Sequence, residues 1–167
     1  MKNIGLAERI SKAIGARNKD CFMNSARAML WIHANMPDSI KEKTYVIEGY
    51  CVDPDLLGIP FMHGWVMVND EIIDTTPCYM KKEHAVYVPV YAFDMHDALR
   101  WFSESQLLPC RISEFGDGLS FKGYIRALLV CNSEDIVRRM YEFEPAASTI
   151  IEEVIGEVRS IRANQKR

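Results

Sequence analysis

Leu6, Ile10 and Ile14 recur every four residues, which places them on one face of a helix. A polar break, Asn18-Lys19-Asp20, follows. Phe22, Ala26, Met29, Leu30 and His33 then give a second helical stripe, so that helix begins at or next to Cys21. It is expected to end near Asn35, because Pro37 disfavours helical backbone in the residue before it. From Thr44 the pattern changes to short runs rich in Val, Ile, Tyr and Trp, which predict strands over Thr44–Val52, Met62–Val68, Glu71–Thr76, Val86–Phe93 and Tyr124–Cys131. Asn69-Asp70 stands between two of these runs as a tight hairpin turn. Asp94–Ser105 reads as a short helix, and Ser113–Lys122, with Gly116, Asp117 and Gly118, reads as a loop. The tail returns to helix, first over Ser133–Phe143 with Ser133 as its cap, then from Pro145 onward with Ile151, Val154, Ile155, Val158 and Ile161 on one stripe. Helices, then a strand block, then helices predict the α+β class.

Length adds that 167 residues make one ordinary domain, expected to span 1–167, with one core and room for a side cleft. With 49% hydrophobic and 26% charged residues, the composition is that of a globular chain. The net charge of -3 argues against nucleic acid as a partner, since the one basic-rich stretch, Arg159–Arg167, reads as a solvated helix end. Glu8, Arg9 and Lys12 interrupt the first residues, so no secretory signal is expected. No run approaches the roughly 20 apolar residues of a membrane span, so no membrane partner is expected. Five widely spaced cysteines without a CxxC pair point to reduced thiols and a cytoplasmic setting.

The candidate chemistry starts at Cys21. A thiol attacks as its thiolate, and a helix start favours negative charge through its free N–H groups and dipole. Those groups also suit the oxyanion of a tetrahedral intermediate. The second element is the run from His63 to Pro77. With a turn of two or four residues around Asn69-Asp70, paired positions sum to 139, so Trp65 faces Asp74 and His63 faces Thr76. His63 and Asp74 are then diagonal neighbours on one face, about 7 to 8 Å apart along the backbone, close enough for a base and its orienting carboxylate. A three-residue turn would put them on opposite faces. Taken singly, Cys21 also fits a small buried residue, His63 a satisfied strand histidine and Asp74 a strand-end residue; it is their combination that points to catalysis.

The ordered set Cys21-Phe22-Met23-Asn24-Ser25-Ala26, Tyr45–Tyr50, His63-Gly64-Trp65 and Asp74-Thr75-Thr76-Pro77 resembles the transglutaminase-like branch of the papain-like cysteine enzymes. The resemblance covers roughly residues 18 to 77. It implies a nucleophilic Cys21 opening a helix packed on an antiparallel sheet, His63 as base on a His-x-Trp strand, and Asp74 from the next strand. Two departures stand out. Gly15 occupies the position where papain-like proteases place an oxyanion-hole Gln, leaving Asn18, Asn24 or the backbone alone as donors. No tryptophan precedes Trp31, which leaves the acyl acceptor open between water and an amine.

Glu48 alternates with Val46 and Tyr50, so it either reaches the cleft as a substrate-binding carboxylate or, more often for such a residue, faces solvent. Trp65 either walls the cleft or anchors the core. His33, His84 and His96 lack metal-ligand spacing and no Gly-rich phosphate loop is present, so neither metal nor cofactor is expected. Cys51 and Cys131 read as core thiols in strands, and Cys78 and Cys110, beside Pro77 and Pro109, as loop thiols. The expectation is a Cys21-His63-Asp74 hydrolase or acyltransferase acting on a peptide, protein or small amide through a thioester. Its rivals are a non-catalytic protein-binding module that keeps the fold, and thiol chemistry on a small metabolite.

Overall fold

A computed structural model describes residues 1–55, 58–77, 82–105, 112 and 118–165, with the backbone alone at 101, 102, 104 and 105. The sequence expectations for Cys78 and Cys110, and the first part of the loop expected over Ser113–Lys122, lie outside the described residues.

Two helices lead, α1 (Ile4–Ile14) and α2 (Cys21–Asn35). The first is capped by Asn3, which accepts from the Leu6 N–H, and closed by Gly15 in the left-handed conformation. The short α3 (Asp38–Lys41) delivers the chain to β1 (Thr44–Val52), followed by β2 (Phe61–Val68), β3 (Glu71–Ile73) and β4 (Val86–Phe93). These form an antiparallel sheet of order β3-β2-β1-β4. Then come α4 (Met95–Ser105), α5 (Gly118–Cys131), α6 (Glu134–Met140) and α7 (Pro145–Asn164). The architecture is α+β with a four-stranded antiparallel sheet.

The hairpin between β2 and β3 has a two-residue turn. Asn69 and Asp70 take φ of 49° and 64°, the paired left-handed geometry that matches strand twist and that Asn and Asp tolerate. The register is Val66 opposite Ile73 and Val68 opposite Glu71, the expected sum of 139. The ladder stops at Ile73, however, and Asp74–Thr76 leaves it. Asp74 itself ends the strand: its side chain accepts the Thr76 N–H at 2.9 Å, a local bond that replaces cross-strand pairing.

The segment Tyr124–Cys131, expected as a strand, is helical, and α5 begins inside the expected loop, at Gly118. An apolar run that short does not separate a buried strand from a buried helix. Here α5 is covered on several sides. Ile125, Leu128 and Leu129 join Val137, Ile151, Val154 and Ile155 in one core cluster with α6 and α7, while Ala127 packs with Met29 of α2 and Val46, Tyr91 and Phe93 of the sheet. Gly123 permits the contact with β4, since a Cβ there would lie 2.4 Å from Val90 Cγ2.

A separate cluster, Ala7, Ile10, Ala28, Ile32, Val66, Val68 and Ile73, seats α1 and α2 against β2 and β3. The first residues bind the free edge of β3: Ile72 N–H donates to Met1 O at 2.7 Å and Asn3 N–H to Ile72 O at 3.0 Å. At the other end Arg159 pairs with Glu134 and Arg162 donates to Leu129 O, so part of the basic tail braces α5 and α6. Among the described residues no helix is long and apolar enough to cross a membrane.

Candidate active site

Cys21 is the first residue of α2. The Asp20 side chain before it makes no cap bond to the helix, and the first intrahelical bond runs from Asn24 N–H to Asp20 O. The N–H groups of Cys21, Phe22 and Met23 are those an α-helix leaves without an acceptor of its own.

Glycine brings this helix start against β2. A Cβ on Gly64 would stand 2.9 Å from Phe22 Cδ1 and 3.2 Å from Phe22 Cα, so only glycine lets the two backbones approach this closely. Phe22 follows Cys21 and Gly64 follows His63, so this contact sets Cys21 and His63 near one another.

His63 is buried, 3% exposed, and its Nε2 meets Asp74 Oδ2 at 3.0 Å. That leaves Nδ1 as the ring nitrogen on the side open to Cys21, whose thiol is near enough to the ring to raise its pKa. Burial alone would lower the imidazole's pKa, and this is the largest single influence on it. Hydrogen bonds to Asp74 and Cys21 together with their charges outweigh it and push the value up to about 9. Asp74 shows the opposite balance. Burial would raise its pKa, but the hydrogen bond and charge of His63, the Lys82 ammonium and the Thr76 N–H hold it below the usual carboxylate value. Both directions favour an imidazolium-carboxylate pair.

Asp74 has more partners than the sequence suggested. Its Oδ2 also accepts the Tyr87 hydroxyl at 2.8 Å, and Lys82 Nζ lies 2.6 Å from its carbonyl and 3.8 Å from Oδ1. The Lys82–Ala85 stretch is in turn held by Lys2, whose ammonium donates to the carbonyls of Lys82, Glu83 and Ala85 at 2.6, 2.7 and 2.5 Å. Tyr87, Lys82 and Lys2 belong to no motif. Only the fold brings them together, and β-alternation alone marks Tyr87.

The remaining candidates separate. Trp65 is 1% exposed, with its ring centroid 6.2 Å from His63 and 5.2 Å from Tyr87, so it is a buried anchor behind His63. It crosses Gly49, where a Cβ would lie 2.7 Å from its ring. Asn24 is fully buried, and both protons of its amide are committed, to Arg17 O at 2.7 Å and Thr76 Oγ1 at 3.2 Å. Its Oδ1 accepts the Arg17 N–H. It therefore has no donor left for an oxyanion and acts as a brace between α2 and the Asp74 segment. Asn18 is exposed in the turn before α2. Glu48 neither faces solvent nor forms part of this constellation: it is fully buried and accepts the Ile112 N–H at 3.2 Å. It shares its face of β1 with Val46 and Tyr50, and α2 and α5 cover that face.

Of the other histidines, His84 pairs with Asp55, and His96 lies at the exposed start of α4 with Asp94 and Asp97, their ligand-type atoms within 4.8 Å of one another. Asp94 there accepts the Asp97 N–H, and Asp97 pairs with Arg100. Cys51 is buried in β1, and Cys131, expected in a strand, ends α5.

Comparison with protein-family profiles, characterised proteins and solved structures gave no match.

Proposed function

We propose that this chain is a cysteine-dependent hydrolase or acyltransferase of the transglutaminase-like, papain-like type, acting on a peptide, isopeptide or glutamine-type amide. The observation that carries this reading is one imidazole, buried and raised to a pKa of about 9, held by Asp74 on Nε2 and neighboured by a thiol at a helix start.

In this reading the Cys21 sulfur bonds to the amide carbonyl carbon while His63 carries the thiol proton as an imidazolium. The carbonyl oxygen becomes an oxyanion beside the first-turn N–H groups of α2, in the absence of a side-chain donor from Asn24. His63 passes its proton to the leaving nitrogen, the carbon–nitrogen bond breaks, and a thioester on Cys21 remains. Water or an amine then attacks the thioester, its proton going to His63. The carbon–sulfur bond breaks and the thiol is regenerated. Asp74 keeps Nδ1 aimed at the sulfur throughout.

The test is labelling with an electrophilic amide-mimic probe, followed by mass spectrometric location of the adduct. Modification centred on Cys21 and lost in His63→Ala supports the reading. A Cys21 that stays unlabelled while other cysteines react refutes it.

A further inference from the structure

A cavity of about 680 Å3 opens between the paired positions Tyr50 and Met62 of β1 and β2, the start of α5 and the start of α7. Small-molecule sites commonly enclose about 300 to 1,000 Å3. Phe121, Tyr124, Tyr141 and Glu144 complete the wall that matters here. Two edge-on ring pairs build it: Tyr50 with Tyr124 at 5.4 Å and Phe121 with Tyr141 at 5.6 Å. Burial first, then the nearness of Tyr124, raises the hydroxyl pKa of both Tyr50 and Tyr141, and Glu144 adds to the effect at Tyr141. The carboxylate therefore stands beside the aromatic wall.

Glu144 precedes α7 as its cap residue, yet its side chain makes no bond to the helix, and among the described residues it forms no ion pair. The first turn of α7 is poorly suited to an anion: Pro145 has no N–H, and the Ala147 and Ser148 N–H groups both bond to the Glu144 carbonyl. No basic side chain is among the described residues lining the cavity. Aromatic faces carry a negative quadrupole, so rings, one carboxylate and no cation complement a positively charged group with an apolar shell.

We propose that this cavity binds an organic cation of the alkylammonium class, its carbon shell against the rings of Tyr124 and Tyr141 and its charge balanced by Glu144. The proposal does not rest on catalysis by Cys21, because binding is read without turnover. The experiment titrates choline and its neutral isostere 3,3-dimethylbutan-1-ol by calorimetry, with tyrosine ring NMR signals to locate the site. Choline is expected to bind several-fold more tightly than the alcohol and to shift the Tyr124 and Tyr141 resonances. Glu144→Gln, an exposed substitution, should weaken choline roughly 2- to 5-fold, the range of an exposed charge pair, and leave the alcohol unaffected. Tyr141→Leu, which keeps apolar bulk, should show the same selectivity. Equal binding of the two probes, choline binding unaffected by Glu144→Gln, or no binding of choline at millimolar concentration overturns the proposal. Cys21→Ala should retain choline binding in full, so an inactive thiol and an empty cavity are separately visible.

Discussion

Asn24 on α2 and Thr76 beyond β3 are joined side chain to side chain at 3.2 Å, across 52 residues of sequence. The bond links the helix that Cys21 opens to the segment carrying Asp74, and Asn24's bonds to Arg17 also fix the turn leading into that helix.

Asn24→Ala would leave the Thr76 hydroxyl and both Arg17 backbone groups without this partner. A loss of about 1–3 kcal/mol is expected, near the full cost of unsatisfied buried polar groups. Thermal denaturation checks it, at roughly 2–4 °C for each kcal/mol. Turnover by the folded fraction should fall as well, because Asp74 loses its anchor to α2.

Gly64→Ala introduces a methyl 2.9 Å from the Phe22 ring and 3.1 Å from Ser25 Oγ. The helix start must retreat from β2, at about 1–3 kcal/mol, the usual range for overpacking. The Cys21-to-His63 spacing changes with it, so probe labelling of Cys21 should slow by on the order of 100-fold, more than the stability loss explains. Unchanged labelling kinetics in the folded variant would contradict the geometric role given to Gly64.

Asp74→Asn keeps size and an acceptor but removes the charge that helps hold His63 protonated. Turnover should drop roughly 100- to 10,000-fold, yet less than in Cys21→Ala, which removes the nucleophile. The pH midpoint of Cys21 alkylation should rise, since a weaker imidazolium supports the thiolate less. Alkylation measured from pH 5 to 10 decides between this and a simple Cys-His dyad, in which the substitution moves nothing.

The buried pair also makes stability depend on pH. His63 is raised from 6.5 to about 9, so its contribution is complete below about 6.5, declines as pH rises and is gone above about 9. Two and a half pH units correspond to on the order of 3 kcal/mol. Asp74, with its value lowered, contributes above its unfolded value near 3.8, and that contribution is lost as pH falls through the folded value. Denaturant unfolding at pH 6 and pH 10 should therefore show a loss of stability toward pH 10 that is much smaller in His63→Gln.

Local chemistry decided much of this molecule. The four-residue spacing of Leu6, Ile10 and Ile14, the Pro37 stop, the β-branched runs and the Asn69-Asp70 turn act over a few residues, so α1, α2, the β2–β3 hairpin and its register follow from the chain alone. That register ends one residue short of Asp74, which beyond the ladder reaches the His63 ring. Other outcomes depend on what covers a segment. Tyr124–Cys131 is helical because sheet and helices enclose it, and Glu48 is buried because it shares a face with Val46 and Tyr50, which α2 and α5 cover. Asn24 became a brace and not a donor because Thr76 and Arg17 arrive at its amide first. Tyr87 and Lys82 reach Asp74, and Lys2 reaches the stretch that carries Lys82, with no motif to mark them, since hydrogen-bond partners brought together by packing leave no period in a sequence.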